Sequence, residues 1–339
     1  MTPPRSGDAD ADPWTEDDSG RAGAPGGGAG RGGAAEDPRV TAEAARVEAA
    51  QQARTAEAVP VDRALSVSVA GFAALLAVGL VLGAQGIGLG AGRLPYVAVI
   101  LGVQLLFILA STMAMRPPAM PAVAGVSVLV ALGADLAAVL PDEASLAKLG
   151  LVAAAGFGLS VLAQLLRPSD RERVTESLGA TLMIVIGVVA FATLVVLTRK
   201  PGGTQTLTLC LTAAGVALVV ARLVDPVSAS PRLAPQVPRG ALGVVLGAML
   251  GTAAGAVLGS SLVAPFTPTN GAVLGLLCAC AAVLTDLGAN YAEAGRLMAG
   301  DPPTFWIARH MQGPIAGLAL AAPVAYVGNV LFLVPFGGV

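Results

Sequence analysis

Charged side chains are scarce in this sequence. They make up 12% of its 339 residues, where a soluble domain carries about 25%. A single histidine, His310, excludes two-histidine metal sites of the HExxH kind. No glycine-rich loop ends in Lys-Ser or Lys-Thr, so a P-loop is excluded. No serine sits in a Gly-x-Ser-x-Gly elbow, which removes that hydrolase arrangement. Clustered basic surface is also missing, so nucleic acid is not expected as a partner. The three cysteines, Cys210, Cys278 and Cys280, all fall in apolar runs, where thiols act as small hydrophobes. Cys278 and Cys280 are two apart and point to different faces of a helix, so neither a disulfide nor a metal role is expected.

What the chain has instead is apolar sequence, 55% hydrophobic with a mean hydropathy of +0.75. The polar residues gather at the start. Residues 1–63 hold 7 of the 20 basic and 12 of the 22 acidic residues, and the rest of the chain is almost uncharged. Residues 1–35, rich in Gly, Ala, Pro and Asp, cannot bury enough apolar surface to offset their chain entropy. Residues 1–63 are therefore expected to form a disordered cytoplasmic tail, with a marginal Ala-rich helix at 38–58. No short apolar region follows a basic start, so no signal peptide is expected.

From residue 64 to 339 the pattern is that of an all-α polytopic membrane protein. A spanning helix needs roughly 20 mostly apolar residues, and nine such segments occur: 64–84, 94–115, 121–140, 146–166, 175–198, 204–224, 240–264, 270–289 and 314–336. With the N-terminus cytoplasmic, ten basic residues fall in inside loops and four in outside loops, which fixes that orientation. The expected location is the cell membrane.

Three features stand out against the apolar background. Gly243, Gly247, Gly251, Gly255 and Gly259 recur every four residues and form a smooth ridge on one helix face. Such a ridge lets a neighbouring backbone approach closely, within the bundle or across a homodimer. Asp135 lies inside an apolar segment, where an acid is functional, or else sits near an interface or hydrogen-bonds within the bundle, and the second reading is favoured. Finally, an apolar helix runs to Asp286, and a polar loop is expected from there to His310. It carries Glu293, Arg296, Asp301, Arg309 and His310.

Four stretches, in order, carry a resemblance: VTESLGATLMIVIGVVAFATLVVL, SPRLAPQVPRGALG, LTDLGANYAEAGR and RHMQGPIAGLALAAPVAY. Over about residues 174–326 the chain resembles the phosphatidate cytidylyltransferases. Those are polytopic membrane enzymes that make CDP-diacylglycerol from CTP and phosphatidate with divalent metal ions. Leu233-Ala234-Pro235 and Pro238-Arg239 match the family's loop before the seventh helix, with Arg239 standing for a lysine pair. Asp286-Leu287-Gly288 matches the start of its signature, and His310 and Gly313 match its end. The departures are as clear. The family's Ser-Asp pair falls on Ala217-Leu218, with Asp225 seven residues later, and its Lys-Asp pair falls on Ala299-Gly300, with Asp301 one residue late. Its Glu-Ser becomes Ala289-Asn290, and its last two Asp and Arg are gone.

The resemblance implies roles for the residues that remain. Asp286, Asp301 and Asp225 would hold Mg²⁺, which favours carboxylate oxygens. Arg239, Arg296 and Arg309 would bind phosphates or anionic headgroups. His310 would orient the nucleotide. With most metal-binding acids missing, the leading expectation is a relative without the ordinary activity, which binds membrane lipids or a partner. An active enzyme taking CTP and phosphatidate is the alternative, and a small-solute transporter or structural membrane protein is another.

Overall fold

The structure, a computed structural model, describes residues 59–87, 93–140, 145–166 and 173–333. All belong to the second of two compact units, Gln52–Val339. The expected tail up to residue 58, including the Ala-rich helix at 38–58, lies outside them.

Among the described residues there are nine long helices and no named strand. They are α1 (Arg63–Gly86), α2 (Leu94–Met115), α3 (Met120–Val139), α4 (Leu146–Leu165), α5 (Val174–Leu197), α6 (Gly203–Val224), α7 (Ala241–Ser261), α8 (Pro268–Met298) and α9 (Trp306–Gly328). A short π-turn, Asn329–Leu333, follows. Each helix is long and apolar enough to cross a membrane, so the chain is an all-α multi-pass membrane protein. In lipid the backbone must satisfy its own hydrogen bonds, which leaves helices as the economical answer to these sequences.

Two helices differ from expectation. The apolar run ending near Asp286 was expected to close its helix there, yet α8 continues for twelve more residues, to Met298. Hydropathy marks where a helix leaves lipid, not where it stops. Ala289, Ala292, Glu293, Ala294 and Arg296 keep helical propensity into the polar zone. At 31 residues and 1.5 Å per residue, α8 is about 46 Å long, well beyond a hydrocarbon core of about 30 Å. Likewise α9 begins at Trp306, so Arg309 and His310 are helical. The loop expected over Asp286–His310 shrinks to residues 299–305.

The packing has a centre and a flank. The most buried of the nine, α5 has 15 of its 24 residues buried, with α2, α3, α4 and α9 packed around it. On the flank, α7 lies against α6 and α8 and buries only its five ridge glycines. A Cβ at Gly247 would come within 2.6 Å of the Ala217 carbonyl oxygen, and one at Gly251 within 2.7 Å of that of Ala213, both on α6. Further along, one at Gly259 would come within 2.5 Å of the Thr267 carbonyl oxygen, at the start of α8. The ridge is therefore used inside the bundle, first against α6 and then against α8. The opposite face of α7, with Val245, Met249 and Val257, is exposed.

Candidate functional site

Where α6 ends and α7 begins, four charged side chains are buried together. Arg222 sits in the last turn of α6 and Asp225 caps that helix. The chain then turns back through an isolated antiparallel bridge between Arg232 and Gly240, which carries Arg239 to the start of α7. Asp286, from the middle of α8, meets them. Asp286 is wholly buried, Arg239 and Asp225 are 1% and 2% exposed, and Arg222 is 6% exposed.

The charges alternate. Arg222 Nη2 donates to Asp286 Oδ1 at 2.5 Å. Arg239 Nη1 lies 3.1 Å from Asp286 Oδ2, and Arg239 Nε lies 3.1 Å from Asp225 Oδ2. The Gly240 N–H donates to Asp225 Oδ1 at 3.0 Å. Every oxygen of the two carboxylates thus faces a guanidinium or a backbone donor. Arg239 acts chiefly as a charge, because none of its three side-chain nitrogens makes an aligned hydrogen bond.

Burial works against these charges. It pushes the Asp225 carboxyl up from its ordinary range, opposed first by Arg239 and then by the Gly240 N–H. It draws the Arg239 guanidinium down, with Arg222 adding to the effect and the two carboxylates opposing it. A buried ion pair gains little over an apolar pair, but losing one member leaves an uncompensated charge.

Two glycines make room for the network. A Cβ at Gly243 would come within 2.7 Å of Asp225 Oδ1, and one at Gly313 would collide with Asp286 Oδ1. Gly313, on α9, leaves space for this carboxylate. Asn290 Nδ2 donates back to the Asp286 carbonyl at 2.5 Å along α8. His310, three residues before Gly313, is half-buried and within electrostatic reach of Arg222, Arg309 and Asp286.

The other expected site residues are elsewhere. Arg309 pairs with Glu293 at 2.9 Å. Arg296 donates to the Ala114 carbonyl at 2.7 Å, satisfying the last turn of α2 as a basic side chain at a helix C-terminus does. Arg296 and Asp301 also line an open cavity of about 190 Å³ with Arg116, Arg173, Glu176 and Glu293. Asp301 therefore belongs to that cavity, whereas Asp225 and Asp286 converge on Arg239.

This donor set does not fit a Mg²⁺ ion, which seeks several carboxylate oxygens and waters in an octahedron. Here the carboxylate oxygens are matched to arginine. Among the described residues no group of three or more His, Cys, Asp or Glu is arranged to hold a metal. Arg222 is the member that sequence reasoning overlooked as a site residue. A cation within an apolar run was the available signal, but its partner is 64 residues away. No family model and no curated protein sequence matches the chain.

Proposed function

We propose that this chain is a divergent relative of the phosphatidate cytidylyltransferases in which arginines have taken over the place of catalytic metal. In this reading it is a lipid-binding protein of the cell membrane, with its N-terminus cytoplasmic, and makes no CDP-diacylglycerol. One observation carries it: all four oxygens of Asp225 and Asp286 face Arg222, Arg239 or a backbone N–H. A nucleotidyl transfer needs metal and free cations to neutralise triphosphate charge in the transition state. Here the nearest cations are already neutralised.

The ligand would be a polar headgroup in the cavity lined by Arg116, Arg173 and Arg296. Cations at a membrane surface attract anionic lipid at about 1 kcal/mol each. Arg116, Arg173 and Arg296 stand beside Glu176, Glu293 and Asp301, so selectivity would come from placement more than from net charge.

Purified protein in mixed micelles, given CTP, phosphatidate and Mg²⁺, should form no CDP-diacylglycerol. Added Mg²⁺ or EDTA should leave its thermal midpoint unchanged. Native mass spectrometry should show retained phosphatidate in preference to phosphatidylcholine, and less of it after Arg116→Ala with Arg296→Ala. Mg²⁺-dependent turnover that disappears in Asp286→Asn would establish the active enzyme instead.

A further inference from the structure

A second buried acid lies far from the arginine network. Asp135, on α3, is 5% exposed, and Gln104, on α2, is wholly buried. Gln104 Nε2 donates to Asp135 Oδ1 at 3.0 Å and to the Val188 carbonyl of α5 at 3.1 Å. Both amide hydrogens are then in use, which fixes the orientation of the amide. Two acceptors remain without a partner, Asp135 Oδ2 and Gln104 Oε1. Among the described residues, no arginine, lysine or histidine forms an ion pair with Asp135. Arg199, near the end of α3, donates Nη1 to the Ala138 and Val139 carbonyls.

As a carboxylate, Asp135 would be a buried charge with one neutral donor and no cation. Such a charge in an apolar interior is costly, and a buried acceptor without a donor adds to that cost. A single proton removes both defects. Placed on Asp135 Oδ2, it neutralises the acid and turns that oxygen into a donor, and Gln104 Oε1, on the amide already bonded to Asp135, is an acceptor left open. An acid and an amide pair through two antiparallel hydrogen bonds, N–H to O and O–H to O, and the first of these is in place at 3.0 Å.

We propose that Asp135 and Gln104 form a proton-binding site inside the helix bundle, in which one proton is shared between Asp135 Oδ2 and Gln104 Oε1 as an acid–amide pair. The Gln104 amide from α2 faces Asp135, and the Val188 carbonyl from α5 faces that amide. The ligand of this site is the proton itself. It closes α2 and α3 against each other, while the second amide hydrogen of Gln104 ties both to α5.

Infrared spectroscopy of the full chain in liposomes, with ¹³C-carboxyl-labelled aspartate, tests this. At neutral pH the wild-type protein should show an isotope-shifted C=O stretch of a protonated carboxyl. Asp135→Asn should lose that band while keeping most of its thermal midpoint, because an uncharged amide keeps the carbonyl acceptor and a donor towards Gln104 Oε1 and adds only one further N–H. Gln104→Leu should keep the band but move it to higher wavenumber, since the C=O loses its N–H donor. Absence of the band in the wild-type chain overturns the proposal without any variant. So does a band that survives Asp135→Asn, or one that does not move in Gln104→Leu.

Discussion

Asp286 and Asp135 are both acids buried within an apolar bundle, and the protein satisfies them differently. Asp286 sits where three helices meet and has an arginine against each oxygen. Asp135 has one amide from a neighbouring helix. The first is balanced by charge and depends on two cations set in place by separate parts of the chain. The second has a single neutral donor, from an adjacent helix, and no cation. A buried acid in a membrane chain therefore does not announce its chemistry, because the partner decides it.

Removing the acid at the charged site should cost most. Asp286→Ala leaves Arg222 and Arg239 buried without their shared partner, a loss of about 3–5 kcal/mol. It should appear as a large drop in thermal midpoint and poor recovery from detergent. If the midpoint barely moves, the two acids are equivalent and the comparison fails. Gly313→Ala tests the same site without changing charge, because its Cβ would collide with Asp286 Oδ1. Forcing a methyl into a filled site costs about 1–3 kcal/mol, and Gly313→Ala combined with Asp286→Ala should cost less than the sum. At the other acid, Gln104→Leu removes hydrogen bonds and no charge, so the expected loss is about 1–2 kcal/mol. A loss equal to that of Asp286→Ala would show that Asp135 also depends on charge. The smallest effect is expected for Arg296→Ala, which frees the Ala114 carbonyl near the surface and should cost about 1 kcal/mol or less. A larger loss would mean that the open cavity is as structurally committed as the arginine network.

Much of the fold was legible in the sequence, for a physical reason. Each span must satisfy its own backbone in lipid, so its length and hydropathy are written locally. The glycine ridge was legible too, since Gly243 to Gly259 keep a strict helical spacing. What it packs against was not. The boundary at Asp286 was misread because a change in polarity was taken for the end of a helix, and Ala289 to Arg296 carry the helix onward. At the site, the acids could be seen but not their partners. Arg222 counted only among the ten basic residues assigned to inside loops, and Arg239 was expected to bind phosphate. Only the fold brings both to Asp286: the packing of α6 on α8 delivers Arg222, and the loop between α6 and α7 delivers Arg239. Asp135 was visible as an acid among apolar residues, whereas Gln104, 31 residues earlier, gave no periodic signal that singled it out.

The glycine ridge also bears on the order in which the protein is assembled. One part of α7 lies against α6, which has already left the ribosome, and the other against α8, which has not yet been made. The helix can seat its first glycines as it enters the membrane but must leave Gly255 and Gly259 facing lipid until α8 follows. Arg239 has Asp225 beside it from the start, yet Arg222 has no acid at hydrogen-bond distance until Asp286 arrives. The flank of the bundle is thus finished by its eighth helix, and a chain cut short before residue 286 would lack the acid that Arg222 hydrogen-bonds.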